Sequence, residues 1–209
     1  MTPDFDLIFD WLQRNWIETT GAILTLIFLY LEVTRKWTMW LVGIASGLFY
    51  VYINYSEQLY AMMGLRSYDV LVSLYGLYCW RFVRSKKGEE LPFSFIKLKT
   101  AATLTVIGVV IYVALSWFVL HFTDAPNPFS EGGQPTLFFI EILTVTLSIL
   151  AVWMAARKIV ESWYLWMIVN PCSIVIYLIK GMYPSTILYL VYALFSIVGY
   201  IQWRKTALK

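Results

Sequence analysis

The hydrophobic positions of the chain gather into seven long runs separated by short polar breaks. The runs extend roughly from Thr19 to Thr34, Trp37 to Tyr55, Leu59 to Trp80, Thr100 to Leu120, Thr136 to Ala156, Trp163 to Ile179 and Tyr183 to Trp203. Most are about 17 to 22 residues, the length that carries a helix across a ~30 Å hydrocarbon core. Water is absent there, so the backbone must bond to itself, and each run is predicted to be an α-helix. The break "HFTDAPNPFSEGGQP" is rich in Pro and Gly and is predicted to be an irregular loop. Residues 1–18, beginning "MTPDFDLIFDWLQRNW", are acidic and amphipathic. They lack the basic start and small-residue cleavage site of a signal peptide, and are expected to lie at the membrane interface or to extend the first membrane helix.

Charge gives these runs a direction. Only 14% of the residues are charged, against about 25% in soluble domains, so a polytopic all-α membrane protein is expected. If the loops after runs one, three, five and seven share a side, that side holds all of the 16 Lys and Arg except Arg14, Arg66 and Lys180. The positive-inside rule makes it cytoplasmic, with the N-terminus outside and the C-terminus in the cytoplasm. The basic stretch "RSKKGEELPFSFIKLK" is expected to be a solvated loop touching anionic lipid headgroups.

The sequence also repeats itself. "WTMW" at 37–40 resembles "WYLW" at 163–166, an offset of 126. "YGLYCWR" at 75–81 resembles "VGYIQWR" at 198–204, an offset of 123, and Tyr60 matches Tyr183 at that same offset. Runs two and three thus match runs six and seven, and by order run one should match run five. Run four is left as a linker. Three helices form an odd number, so one extra crossing gives both triplets the same orientation. The expected plan is therefore a 3+1+3 parallel repeat, a known transporter architecture with substrate bound between the halves. Its segments are 1–18 at the interface, 19–84 as the first repeat and 85–121 as cytoplasmic loop and linker helix. An outer loop, 122–135, and a second repeat with a cytoplasmic tail, 136–209, complete it.

Candidate chemistry lies on two helical faces. In run six, Trp163, Trp166, Asn170, Ser173 and Tyr177 follow at steps of 3, 4, 3 and 4, which is one side of a helix. Aromatic rings beside an amide suit a flat, polar heteroaromatic ligand. Pro171 removes a backbone donor and is expected to loosen the helix beside Asn170. An interfacial aromatic belt and a helix–helix amide bond are the competing uses of these residues. In run three, Asp69, Ser73, Gly76 and Trp80 have the same spacing as Tyr192, Ser196, Gly199 and Trp203 in run seven. Carboxylates inside a membrane are costly and usually functional. Asp69 would attract a cation, or else pair with Arg66. Glu141 could draw a cation inward or bond a neighbouring helix, and Glu32 has nearby basic residues to pair with.

Several classes are excluded. The chain has one histidine, His121, and its cysteines, Cys79 and Cys172, fall in apolar runs, so neither a metal site nor a cofactor is expected. There is no nucleophile with a plausible base, no phosphate-cradling loop and no nucleic-acid-binding face. An enzyme is not expected.

The stretches "YLEVTRKWTMWLVGIASGLFYVYINYSEQLY", "SLYGLYCW", "LSILAVWMAARKIVESWYLWMIVN" and "KGMYPSTILYLVYALFSIVGYIQWRK" resemble the PnuC family of bacterial vitamin transporters. The resemblance implies a SWEET-like seven-helix fold, a homotrimer in the bacterial inner membrane, and facilitated diffusion with trapping by a cytoplasmic vitamin kinase. It implies that Trp163, Trp166 and Asn170 grip the vitamin, with Asp69, Ser73, Tyr177, Glu141, Tyr192 and Ser196 completing the site. Members that carry nicotinamide riboside tend to have glutamine at the position of Ser73, and a Gly-Trp pair where this chain has Gly76-Leu77. Nicotinamide riboside and thiamine, both with cationic aromatic rings, therefore stand as equal candidates, ahead of riboflavin. A seven-helix ligand sensor and a SWEET-like sugar uniporter are the alternatives.

Overall fold

The structure is a computed structural model describing residues 16–56, 60–84, 88, 90–122, 128–131 and 133–209. The described residues form seven helices: α1 (Trp16–Val33), α2 (Met39–Ser56), α3 (Tyr60–Arg81), α4 (Leu98–Phe122), α5 (Pro135–Ala156), α6 (Ser162–Ile179) and α7 (Tyr183–Ala207). Each covers one predicted run, with ends shifted by a few residues. By length and composition, α4, α5, α6 and most of α7 can each cross a membrane. Apolar stretches in α1 (Ile23–Val33) and α2 (Met39–Tyr52) are shorter. Most of the predicted interfacial segment 1–18, and residues 123–127 and 132 of the predicted outer loop, lie outside the described residues.

The chain divides into two compact units, residues 1–77 and 78–209. In the first, α1 packs on α2, and α2 meets α3 through glycines. A β-carbon on Gly43 would come 2.6 Å from the Ser73 hydroxyl oxygen, and one on Gly47 would come 2.6 Å from the Val70 side chain. In the second, α4 packs on α5, α5 on α6, and α6 on α7.

The turns explain where helices stop. After α1, the Lys36 amide donates to the Leu31 carbonyl (2.9 Å) and the Arg35 amide to that of Glu32 (3.0 Å). This is the Schellman arrangement, which needs a left-handed residue, usually glycine, just past the helix. Gly181 fills that position after α6, at φ 70°. After α1 and α5 it is filled by Arg35 (φ 62°) and Lys158 (φ 56°), residues whose β-carbon makes this conformation unfavourable.

These two turns correct the register of the repeat. After α5, Ile159 donates to Met154 and Lys158 to Ala155, each at 3.0 Å. The following bonds also correspond: Met39 to Lys36 matches Ser162 to Ile159, and Trp40 to Trp37 matches Trp163 to Val160. Every pair is separated by 123 residues. The expected offset of 126 for "WTMW" is therefore wrong: Trp40, not Trp37, corresponds to Trp163. Tryptophans three apart on both segments can be aligned in two ways, and the turn geometry selects one. In this register Gly43 stands where α6 has Trp166, and Gly47 where it has Asn170.

The stretch expected to be a solvated loop is in part docked. Ser94 exchanges backbone hydrogen bonds with the α5–α6 turn, its amide donating to the Lys158 carbonyl and its carbonyl accepting from Val160, both at 3.0 Å. The Ile96 amide donates to the Glu161 carboxylate at 2.9 Å. Composition alone read this stretch as solvated because its lysines and glutamates hide the apolar core "LPFSFI".

Candidate functional site

Helix α6 continues through Pro171 and buries the predicted face. Asn170 is 3% exposed and Ser173 5%, while Trp166 and Tyr177 are half-buried. The facing side of α7 carries Ser196, which is buried, and Tyr192, half-buried. The structure thus brings Trp166, Asn170, Ser173, Tyr177, Tyr192 and Ser196 onto two packed helices.

Within this group the roles differ. Trp163 is 1% exposed. Its ring lies against Gly199, where a β-carbon would come 2.4 Å from it, and meets Trp203 edge-on with centroids 5.4 Å apart. It is a knob between α6 and α7. In the first unit Trp40 lies against Gly76 in the same way, at 2.4 Å from a β-carbon there. Ser196 donates to the Ala193 carbonyl of its own helix at 2.7 Å, which leaves its oxygen as an acceptor. The indole N–H groups of Trp163 and Trp166 are buried with no acceptor among the described residues. Buried donors are rarely left unpaired, and these two lie on the same helix within two turns of the buried Asn170 amide.

One residue of this surface was missed. Tyr189 stacks on Tyr177 (centroids 5.1 Å, interplanar 27°) and meets Tyr192 edge-on at 5.4 Å. Its phenol also interacts with the Ser173 hydroxyl. The signal was present in the sequence: Tyr189 lies three residues before Tyr192 and extends the same stripe by one step.

The predicted carboxylates are already partnered. Asp69 accepts from the Arg66 guanidinium at 3.2 Å, and Arg66 also lies over the Tyr50 ring at 4.9 Å. Of the two uses expected for Asp69, the structure shows the local pair. Glu141 forms an ion pair with Lys180, joining α5 to the turn after α6. Asp69 and Ser73 belong to the first unit, and Ser73 is buried beside Gly43. Glu32 is buried near the end of α1. A cavity of about 520 Å³ lies elsewhere, between α4, α5 and the start of α6, lined mostly by apolar groups such as Leu104, Leu147, Leu150 and Leu165. It contains none of the predicted site residues. Among the described residues no group of His, Cys, Asp or Glu could hold a metal ion.

Helices of this length and composition are those of a polytopic membrane protein. Comparison with known proteins makes this specific. Residues 15–205 match the family model described as nicotinamide mononucleotide transporter, and the chain belongs to that family. It is 26% identical to the nicotinamide riboside transporter PnuC of Escherichia coli K12, over 92% of this chain and 87% of the relative. It is 25% identical to the riboflavin/roseoflavin transporter RibM of Streptomyces davaonensis, over 90% and 84%. Among solved structures, the vitamin B3 transporter PnuC superposes with a TM-score of 0.70 at 23% identity, over 97% of this chain and 86% of that one. These relatives are transporters, not enzymes.

Proposed function

We propose that this protein carries nicotinamide riboside into a bacterial cell across the cytoplasmic membrane by facilitated diffusion. In this reading the basic side faces the cytoplasm, the N-terminus lies outside, and the helices form a 3+1+3 parallel repeat. The protein works as a homotrimer, and a cytoplasmic kinase traps the vitamin. The observation that carries the reading is the buried face of α6, where Asn170 sits among unpaired indole donors. An amide supplies both donor and acceptor to the carboxamide of the ligand. Trp166 and the Tyr177–Tyr189–Tyr192 cluster offer rings to a cationic pyridinium. Trp163 holds the face in place from its seat on Gly199. The nicotinamide riboside transporters among the relatives favour that substrate over thiamine, and the RibM relative keeps riboflavin as the comparison.

The test is calorimetric titration of the purified protein with nicotinamide riboside, thiamine and riboflavin, followed by flux into sealed vesicles. Nicotinamide riboside is expected to bind and to cross. Asn170→Leu is expected to weaken binding at least tenfold with an unchanged melting temperature. Binding of riboflavin or thiamine alone would replace the substrate. Full binding by Asn170→Leu would overturn the site. Binding without flux would make the protein a sensor.

A further inference from the structure

The segment 90–97 is held at the basic end of the helices by several independent contacts. Its backbone is joined to the α5–α6 turn on both sides of Ser94, and Ile96 is fixed by Glu161. An antiparallel bridge between Arg84 and Glu90 closes its start. Between these ties Phe93 enters an aromatic cluster, with its ring 4.9 Å from Trp203 and 5.7 Å from Trp80. Trp80 and Trp203 themselves lie 5.8 Å apart. Lys158 is 5% exposed, and its ammonium sits 5.0 Å from the Trp80 ring centre and 5.3 Å from that of Phe93. The Trp80 indole donates to the Ala155 carbonyl at 3.0 Å.

This cluster connects to the ligand face. Trp203 meets Trp163 edge-on, and Trp163 lies one helical turn from Trp166 on α6. Phe93 therefore joins the basic ends of α3 and α7 to the turn from which the binding helix starts. A carrier that works by rocking its helices must separate such ends to release its ligand. What holds them here is two main-chain hydrogen bonds to the turn, one from the Ile96 amide to the Glu161 carboxylate, the Phe93 ring, and Ile96 packed against the cluster of Leu104, Leu150, Met154 and Ile159, without a disulfide. Such a contact can open locally at small cost compared with the helices beneath it.

We infer that residues 90–97 are a gate at the cytoplasmic mouth of this transporter, closed in this structure, with Phe93 as its wedge and the α5–α6 turn as its seat. The inference rests on the transport reading above, with the basic side facing the cytoplasm. Substrate must pass the strap, so the strap must leave the turn in each cycle.

The test is a reversible lock. Ser94→Cys and Ile159→Cys are introduced together in a Cys79→Ala, Cys172→Ala background, and disulfide formation is verified by mass spectrometry. Oxidised and reduced protein are compared for nicotinamide riboside binding in detergent and for uptake in vesicles. The expected result is binding within about twofold in both forms, uptake reduced at least tenfold in the oxidised form alone, and recovery on reduction. Saturating nicotinamide riboside is also expected to slow formation of the cross-link, because the cycling strap spends time off the turn. Equal uptake by the oxidised and reduced forms would overturn the gate. If neither form binds nicotinamide riboside, the substrate assignment fails instead, and the same comparison with riboflavin decides the gate. Phe93→Ala gives a second reading without cysteines: cross-vesicle exchange should change at least threefold while detergent binding stays unchanged. No change in exchange would count against Phe93 as the wedge.

Discussion

Trp163 rests on the backbone of Gly199, so closely that a β-carbon on the glycine would come 2.4 Å from the ring. The contact sets how near α6 and α7 approach. Gly199→Ala must push the indole and the helix carrying Asn170. It is expected to destabilise the protein by about 1–3 kcal/mol, the usual cost of overpacking. Gly76→Ala should do the same to Trp40 in the first unit. Thermal unfolding in detergent, followed by tryptophan emission, checks both. An unchanged melting temperature would mean that the ring slides aside freely.

Arg35 and Lys158 share a left-handed backbone, at φ 62° and 56°, but not a setting. Arg35 is exposed, so Arg35→Gly should relieve roughly 1 kcal/mol of backbone cost against the loss of side-chain contacts that solvent screens. Lys158 is buried over Trp80 and Phe93. Lys158→Gly gains the same relief but loses those ring contacts, and should destabilise. Opposite shifts in melting temperature are the expected outcome. Shifts of the same sign would show that the contacts of Lys158 contribute little.

The pair between Glu141 and Lys180 is partly open to solvent, with side-chain exposures of 34% and 44%. Such pairs contribute under about 1 kcal/mol, so Lys180→Met should leave stability almost unchanged. It frees the carboxylate, however. Affinity for nicotinamide riboside, a cation, should rise about two- to fivefold in Lys180→Met and fall by a similar factor in Glu141→Gln. Riboflavin is neutral and serves as the control. Equal shifts for both ligands would point to packing rather than charge.

Tyr189 offers both a ring and a hydroxyl to the proposed ligand face. Tyr189→Phe keeps the stack on Tyr177 and removes the phenol facing Ser173. It should weaken binding by about threefold to tenfold, the scale of one hydrogen bond. Tyr189→Ala also removes the ring and should weaken it further. Calorimetry separates the two steps. Equal losses would assign the effect to the hydroxyl alone.

The helices were readable in the sequence because hydrocarbon leaves the backbone one option, so apolar length alone located the seven helices of the described residues. The stripes on α6 and α7 were readable because burial imposes a period on one face. Partners far apart in the chain were not. Arg66 stands three residues from Asp69 and was within reach as the alternative to a ligand, whereas Lys180 lies 39 residues beyond Glu141 and was not considered. The docking of Phe93 was hidden for a similar reason. Its seat is a turn more than 60 residues onward, and nothing in its local composition points there. The register of the repeat depended on two left-handed residues, Arg35 and Lys158, that a glycine-based search for turns passes over.

In the corrected register Gly43 and Gly47 of α2 stand where α6 carries Trp166 and Asn170. In the parallel-repeat reading proposed above, the two triplets of helices share a scaffold and divide its duties. In the first, glycines let α2 and α3 approach closely, and in the second the proposed ligand face carries the side chains. Substitutions on α6 and α7 can then accumulate without a matching change in α2. On that reading, specificity can change through α6 and α7 while the α2 glycines keep their packing. A library built to change what this carrier accepts should draw its diversity from α6 and α7 and leave the glycines of α2 alone.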